Sequence, residues 1–461
     1  MSTGRASCVA AYAARSAAPQ SPAPLSLLVA ACLFAPGLAV AQAGSLSQPN
    51  LGSAASMQSL STSERSGGLR SGEFILTPSL ELGGHHDTNV FNGNASEVGN
   101  EPESGTSLRL MPRLGLSNGI ESDIQFAFDA VGDGRIYLSG SDTVKELTNF
   151  GGSADLGVTF FRRRALSFTI GNQFRRALQA NNWETLETLN RLTNVTSARV
   201  SFHPGEIPER RPLEVSLAGS YVIDRFDEFA SGDTSTIRTA LTGSWRFLPM
   251  TAVLLDSALD FRAFETPSAL GTSANSSPWR ARVGLAGAFT ESLSFRVLGG
   301  WGMSLHETED PDSTFSGFVG SVGVVYRPSS AVLLSLSYDR NFSDSFYGNF
   351  FVTDSGTISL RQSFGSLMSA TAWFTGAYAQ YGKYARPPPS GVTITQAVRK
   401  DVQLNGGIRA TIEVSRMLSA NLGYQLRGVS TDFKLASTDG RVLDAGAYLA
   451  HEIFAGVSVR Y

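Results

Sequence analysis

The chain has 461 residues, a formal net charge of −3 and only two cysteines. This slightly acidic balance gives no reason to expect nucleic acid as a partner. Both cysteines, Cys8 and Cys32, lie in a first segment that we expect to be removed on export. The exported protein is therefore expected to hold no disulfide and no cysteine-ligated metal.

The first segment, residues 1–41, has the organisation of a secretory signal peptide. Arg5 and Arg15 precede the apolar run LSLLVAACLFAPGLAV, which ends in the small-residue pattern Ala39-Val40-Ala41. That run is shorter than the roughly 20 apolar residues that a membrane-spanning helix needs, and no later segment comes closer. Cleavage after residue 41 would remove two arginines and no acid, and would take the net charge from −3 to −5.

The next segment, residues 42–72, is rich in serine and glycine and has little apolar content. Such a composition predicts a disordered segment, here on the periplasmic side. After it, no linker interrupts the chain. Although the length alone would suggest two or three domains, we predict one domain over residues 73–461.

That domain alternates apolar and polar residues with a period of two. In MLSANLGYQLRG, for example, Leu418, Ala420 and Leu422 share one face, and Ser419 and Asn421 share the other. The pattern recurs in about 18 segments of roughly 11 to 18 residues, longer than the strands of most soluble proteins. A tilted strand that crosses a bilayer needs about 9 to 11 residues. We therefore predict an all-β fold: a single transmembrane, antiparallel, up-and-down β-barrel of about 18 strands, with 16 or 20 as alternatives.

The segments between these strands are alternately short and long, as in outer-membrane barrels with short periplasmic turns and longer external loops. This alternation predicts that both termini are periplasmic. Five aromatic residues lie near predicted strand ends and fit interfacial girdles: Trp245, Trp279, Trp301, Tyr326 and Trp373. The last strand, AHEIFAGVSVRY, resembles the C-terminal signal that the barrel assembly machinery recognises. The residues that carry this resemblance are Val457, Val459 and Tyr461.

If the apolar face contacts outer-membrane lipid, the other face lines the interior. Arginine supplies nearly all of its positive charge, because the chain has only four lysines. Two interpretations are open: the arginines pair with acids and brace the wall, or they form a ladder that guides an anionic or hydroxyl-rich solute. Barrels of about 16 to 18 strands enclose an aqueous channel unless loops plug them. The candidate pore-lining residues are Arg109, Arg113, Asp256, Asp260, Arg280, Arg282, Arg296, Arg409 and Arg427.

The stretch GGHHDTNVFNGN is the strongest candidate for metal or catalytic chemistry, because it joins His85 and His86 to Asp87. No further ligand follows at zinc spacing, and asparagine, glycine and aspartate are also the residues of tight turns. The sequence holds no Gly-x-Ser-x-Gly elbow, no Walker loop and no His-Glu-x-x-His pattern. We therefore predict neither a cofactor nor an enzyme.

Two local stretches resemble a known family. ILTPSLELGGHHDTNVF carries an Asp-x-Asn-Val signature, Asp87, Asn89 and Val90, just after the first strand, and LSLSYDRNFSDSFYGNFF lies in mid-barrel. Together they resemble the outer-membrane β-barrel porins associated with bacterial exopolysaccharide and capsule export clusters. The resemblance implies a conduit for a secreted polysaccharide that works with a periplasmic polysaccharide-export protein. The alternatives are a general diffusion porin for small hydrophilic solutes and a plugged, structural barrel.

Overall fold

A computed structural model describes most of the predicted barrel domain. The described residues are 68–93, 101–118, 122–181, 188–204, 212–227, 232–266, 275–306, 314–345, 349–382, 392–394, 398–431, 435–437, 442–444 and 447–461. The predicted signal peptide, residues 1–41, and most of the predicted disordered segment lie outside these ranges. Within the described residues, no helix is long and apolar enough to span a membrane.

Eighteen strands form the domain, each 12 to 16 residues long. The first nine, β1 to β9, are Phe74–Asp87, Gly105–Asn118, Ile124–Ser139, Asn149–Phe160, Leu166–Asn181, Thr188–Phe202, Leu213–Phe226, Thr234–Leu248 and Thr251–Phe264. The other nine, β10 to β18, are Ser276–Ala288, Leu293–His306, Phe315–Ser329, Val332–Asp344, Phe350–Phe364, Met368–Tyr381, Lys400–Glu413, Leu418–Thr431 and Tyr448–Arg460.

The sheet closes on itself. Each strand pairs antiparallel with its neighbours in the chain, and β1 pairs antiparallel with β18 from Ser79 opposite Arg460 to Asp87 opposite Glu452. We call this β1–β18 junction the seam. The predicted 18-stranded, antiparallel, up-and-down barrel is therefore confirmed. Closure matters energetically, because an open strand edge within a bilayer would leave backbone groups without hydrogen-bond partners.

A short extra strand, Leu69–Ser71, completes the seam. β18 ends before it can pair with the first residues of β1, and Leu69–Ser71 turns back at Gly72 and pairs with them instead. Leu69 lies opposite Leu76, and Ser71 lies opposite Phe74. These three residues fall inside the segment predicted to be disordered, so that segment's predicted boundary at residue 72 is too late for them. The period-two pattern does not predict this strand, because three residues are too few to show an alternation.

The two ends of the barrel differ. At the short-turn end, connections are as brief as the one between Leu248 and Thr251. At the long-loop end they are longer and include a five-residue helix, α1, Asp142–Glu146, capped by the Ser141 hydroxyl. Three-residue strands in two of the long connections, Val392–Ile394, Leu435–Ser437 and Val442–Asp444, form a small separate sheet. The even strand number brings both ends of the barrel domain to the short-turn end.

The two faces of the wall have opposite chemistry. On β17, Leu422 and Tyr424 are exposed on the outer face, whereas Ser419, Asn421 and Gln425 are buried on the inner face. Similar exposed apolar side chains run around the whole outside of the barrel. An outer band of this kind suits the hydrocarbon of a membrane and would be costly in water.

Four of the five predicted girdle aromatics lie on the outer face and are exposed: Trp245, Trp279, Trp301 and Tyr326. The fifth prediction is wrong. Trp373 alternates with the exposed, outward Phe374, and its ring lies against the position where Gly407 would carry a Cβ atom, on the inner face of β16. The absence of a side chain at Gly407 makes room for the indole inside the barrel.

Among the described residues, the wall overlaps itself where β12 meets β13. Pairing between β12 and β13 stops at Gly320 opposite Arg340, whereas pairing between β13 and β14 continues to Asp344 opposite Phe350. The end of β13 therefore leaves β12 and passes across the inner faces of β11 and β12. We call residues 341–345 and 349–352 the β13–β14 tip.

An apolar contact holds the tip against the wall. The Phe342 ring stacks on Phe315 with centroids 4.5 Å apart and packs on the buried Val319. It also lies directly over the side-chain position of Gly302 on β11, where an added Cβ atom would be 2.3 Å from the ring. A second strand layer thus lies inside the barrel at the long-loop end.

A glycine substitution tests how closely β10 and β11 approach each other. A Cβ atom at Gly300 would lie 1.9 Å from the backbone oxygen of Ala281, so the strands would have to move apart. We expect Gly300→Ala to lower the free energy of unfolding by about 1–3 kcal/mol, as overpacking does. Urea unfolding of the detergent-solubilised barrel measures this. Gly323→Ala on β12 is the matched control, since nothing lies within 4 Å of its added Cβ, and an equal loss there would contradict the argument.

Candidate functional site

The inner face of the barrel carries charged side chains from most of its strands. On those strands the charged residues alternate with the exposed apolar residues of the outer face. The structure places all nine candidate residues on this inner face: Arg109, Arg113, Asp256, Asp260, Arg280, Arg282, Arg296, Arg409 and Arg427. Their surroundings divide them into three groups: paired arginines, an arginine on an aromatic ring, and arginines without an acid.

The paired group is clearest on β8, β9 and β10. Arg238 lies directly opposite Asp260 in register and donates two hydrogen bonds to it, at 2.6 and 2.5 Å. Both side chains are nearly fully buried, at 3% and 8% exposed. Arg282 likewise lies opposite Asp256 and donates to its carboxylate. Directly opposed, hydrogen-bonded opposite charges join neighbouring strands, which is the bracing role.

Ion pairs also join β2 and β3, but there the partners are offset by two residues, because Arg109 lies opposite Arg135 and Arg113 lies opposite Val131. Arg109 donates two hydrogen bonds of 2.6 Å to Asp133, and Arg113 donates one of 2.8 Å to Asp129. Asp133 is not one of the nine candidate pore-lining residues, because the sequence Gly-Asp-Gly at 132–134 is typical of a turn. The structure instead continues β3 to Ser139. Sequence alternation alone could have shown this, since Ile136 and Leu138 keep the outward parity.

Arg409 and Arg427 meet different partners. The Arg409 guanidinium lies over the Phe454 ring, 4.5 Å from its centroid, in cation–π geometry. The His85 ring stacks on the same phenylalanine, at 5.6 Å. Arg427 of β17 donates to Asp87 of β1, and this ion pair spans β18. These contacts fasten the seam from the inner side.

The Asp-x-Asn-Val signature is a structural anchor for the first long loop. Asp87 accepts from the Asn89 backbone N–H at 2.9 Å as well as from Arg427. The Asn89 side chain donates to the backbone oxygens of Gly93 and Leu449 and accepts from the Gly93 N–H. Val90 packs in a buried cluster with Tyr137 and Val144. Each residue of the signature therefore holds the loop over the strand ends.

The histidine pair does not converge on one site. His85 points inward, 2.8 Å from Glu452, whereas His86 lies on the opposite face, 3.0 Å from the Thr106 hydroxyl. Adjacent residues in a strand project to opposite faces, so both cannot bind one ion. In the part of the chain that the structure describes, no group of three or more histidines, cysteines or acids could hold a metal.

Arg280 and Arg296 form the third group. Arg280 lies opposite Ala258 and Gly302, and Arg296 lies opposite Ala286 and Gly323, so neither faces an acid in register. Among the described residues, neither guanidinium makes a hydrogen bond or an ion pair, and the Arg296 Nε is buried without an acceptor. Three acids lie near this patch: Asp256 and Asp260 of β9 are bound to Arg282 and Arg238, and Asp339 of β13 lies 3.9 Å from Arg282. Four arginines, Arg238, Arg280, Arg282 and Arg296, thus share three acids. This patch of the inner face thus holds unmatched positive charge.

The predicted assembly residues end the last strand. Val457, Val459 and Tyr461 are all exposed on the outer face, at about half of their full accessibility. The Tyr461 backbone N–H donates to the Pro78 oxygen at 3.1 Å, which ties the C-terminus to β1.

Comparison with known proteins finds similarity only in overall shape. No protein-family model matches the chain, and no curated protein sequence is significantly similar. Among solved structures, OccAB3 of Acinetobacter baumannii has 13% identity, a TM-score of 0.46 and coverage of 84% of this chain and 99% of its own. OccK2 (OpdF) of Pseudomonas aeruginosa has 10% identity, a TM-score of 0.44 and coverage of 84% of this chain and 98% of its own. The siderophore receptor PirA of Pseudomonas aeruginosa has 9% identity, a TM-score of 0.40 and coverage of 84% of this chain and 80% of its own. At these values the similarity carries no argument about the function of this chain.

The buried pair on β8 and β9 gives a stability test. Arg238→Ala would leave Asp260 buried without its counter-ion, and we expect a loss of about 3–5 kcal/mol in the free energy of unfolding. The matched control is Lys145→Ala, which breaks an exposed pair with Asp142 and should cost less than about 1 kcal/mol. Unfolding in urea at neutral pH compares the two. Equal losses would mean that the inner pair does not brace the wall.

Proposed function

We propose that this protein is an outer-membrane channel through which small hydrophilic solutes diffuse, with a preference for anions. Three features support the proposal: the closed 18-stranded barrel, its apolar outer band and its charged inner face. Barrels of this size enclose an aqueous channel unless they are plugged. A structural barrel would gain nothing from charged groups on the inside that brace no strand.

The observation that carries the anion preference is the unmatched positive charge of Arg280 and Arg296. Arginine guanidinium groups bind carboxylates and sugar hydroxyls through a planar array of donors, and they cannot lose their charge near neutral pH. Low-dielectric walls focus the field of such groups into the lumen. An anion passing β10 and β11 would therefore find donors that no protein acid occupies.

The proposal includes an orientation and partners. The short-turn end would face the periplasm, so both ends of the barrel domain would be periplasmic, and the long-loop end would face outward. Val457, Val459 and Tyr461 would be read by the barrel assembly machinery, and the outer band would contact outer-membrane lipid. The nine inner-face candidates would line the solute path, with Arg280 and Arg296 as the binding groups and the paired arginines as braces.

Export of a polysaccharide, with a periplasmic export protein as partner, stays a prediction. The described residues offer no feature that favours a polymer over a small solute, and the β13–β14 tip narrows the long-loop mouth. Loss of surface polysaccharide in a deletion strain would support the polymer; normal surface polysaccharide together with slower uptake of small anions would support the diffusion channel.

Charge removal at the unmatched arginines tests the channel. We expect the double variant Arg280→Gln, Arg296→Gln to conduct but to lose anion preference, with a chloride-to-potassium permeability ratio lower by up to about tenfold. Reversal potentials across a planar bilayer in a KCl gradient measure the ratio.

Arg340→Gln is the control for each single substitution, because it removes one positive charge from the outer face, where Arg340 pairs with Asp354. No conductance in the wild-type protein, or the same selectivity change in the control, would contradict the proposal.

A further inference from the structure

The tip of the β13–β14 hairpin carries a carboxylate into a pocket that the rest of the wall builds. Asp344, the last residue of β13, is completely buried. The Ser276 hydroxyl of β10 donates to its Oδ2 at 2.5 Å, and the Ser304 hydroxyl of β11 donates to its Oδ1. Three strands, β10, β11 and β12, lie between β9 and β13 in the sheet order, yet Arg262 of β9 lies only 3.4 Å from the same carboxylate.

The pocket has the composition of an anion site. It consists of two hydroxyl donors, the Arg262 guanidinium and the His306 ring, whose Nε2 lies 3.7 Å from Asp344 Oδ1. Arg262 and His306 are 4% and 0% exposed, so a carboxylate there is shielded from water. Charge-assisted hydrogen bonds in such a setting are strong.

Asp344 satisfies this pocket only in part. Among the described residues, the Arg262 Nε and Nη1 atoms and the His306 Nδ1 atom are buried and have no hydrogen-bond partner. Leaving donors unsatisfied in a dry site costs free energy. A free carboxylate, not constrained by the direction of a strand, could accept from the two Arg262 donors more completely than Asp344 does.

The wall also offers the tip a second position. Continuing the β12–β13 register beyond Gly320 and Arg340 would bring residues 341–344 of β13 opposite residues 316–319 of β12. Among the described strands, β13 leaves those β12 residues without a ladder partner on that side. Stacked sheet layers are about 10 Å apart, so moving the tip from the inner layer into the wall would widen the mouth by roughly that distance.

We propose that Asp344 acts as a built-in ligand for a carboxylate-binding site formed by Arg262, Ser276, Ser304 and His306. While Asp344 occupies this site, the tip is folded into the long-loop mouth and narrows it. A solute carboxylate takes the site when the tip moves out, and each excludes the other. The regulatory part of this inference rests on the proposed channel function, whereas the binding site itself does not.

Chemical rescue tests the binding site without any transport assay. Asp344→Ala vacates the site and leaves Arg262 without an acid, so the variant should unfold at a lower temperature than the wild type. Acetate should raise that unfolding temperature, because a ligand that binds only the folded state stabilises it, and chloride at equal ionic strength should not. The wild type and the control Asp354→Ala, whose acid lies on the outer face, should show no acetate-specific shift. The same acetate response in all three proteins would overturn the site.

Conductance tests the gate. We expect Asp344→Ala, and also the milder Ser304→Ala, to show a larger single-channel conductance than the wild type, and succinate to raise wild-type conductance where glucose does not. If neither variant changes the conductance, and succinate does not change that of the wild type, the proposed gating by the tip is wrong. The proposed channel function would not be affected by that result. If the wild type and both variants show no conductance, both the channel function and the gating are wrong. The acetate experiment would still test the binding site.

Discussion

Closure of the sheet is the constraint on which the rest of this structure depends. A bilayer offers no water to unpaired backbone groups, so β1 must find β18 across the whole length of the chain. Where β18 is too short, Leu69–Ser71 takes its place along β1. Once the wall is closed, the alternation of side chains decides everything else: lipid receives one residue set and the interior receives the other.

The interior set solves an electrostatic problem before it performs any function. Arginines placed on an inner wall must be neutralised or solvated, since an isolated charge out of water is expensive. Directly opposed acids achieve this on β8, β9 and β10, and the Arg409 guanidinium lies over an aromatic ring. Arg280 and Arg296 are therefore informative because the rest of their neighbourhood is so fully matched. The proposed anion preference rests on this difference.

The fold was predictable from the sequence because a period of two sustained over whole strands has only one structural meaning. Parity also located the inner arginines, Arg280 and Arg296 among them. Local composition misled where it imitated another structure: Gly-Asp-Gly at 132–134 resembled a turn, and Trp373 resembled a girdle residue. The sequence does not show which residues lie opposite each other on neighbouring strands. It therefore predicted neither the contact of Trp373 with Gly407 nor the acid that each arginine binds.

The β13–β14 tip was out of reach for a different reason. Its residues keep the alternation of a wall strand, so Phe342 and Asp344 have outward parity in the sequence. They face the inner surface of β11 and β12 only because the sheet overlaps itself there. The period-two alternation predicts the face of the strand on which a residue lies, but not which other strands pack against that face. Long-range packing, set by Gly302 and Val319, supplies that information.

The ion pair between Asp87 and Arg427 has a consequence for how the molecule is made. The two residues belong to β1 and β17, and they meet only with β18 lying between those strands. No open sheet, however complete, contains this contact. The Asp-x-Asn-Val signature therefore makes the anchoring of the first long loop depend on the joining of the first strand to the last, and a chain that has not closed its barrel lacks this contact.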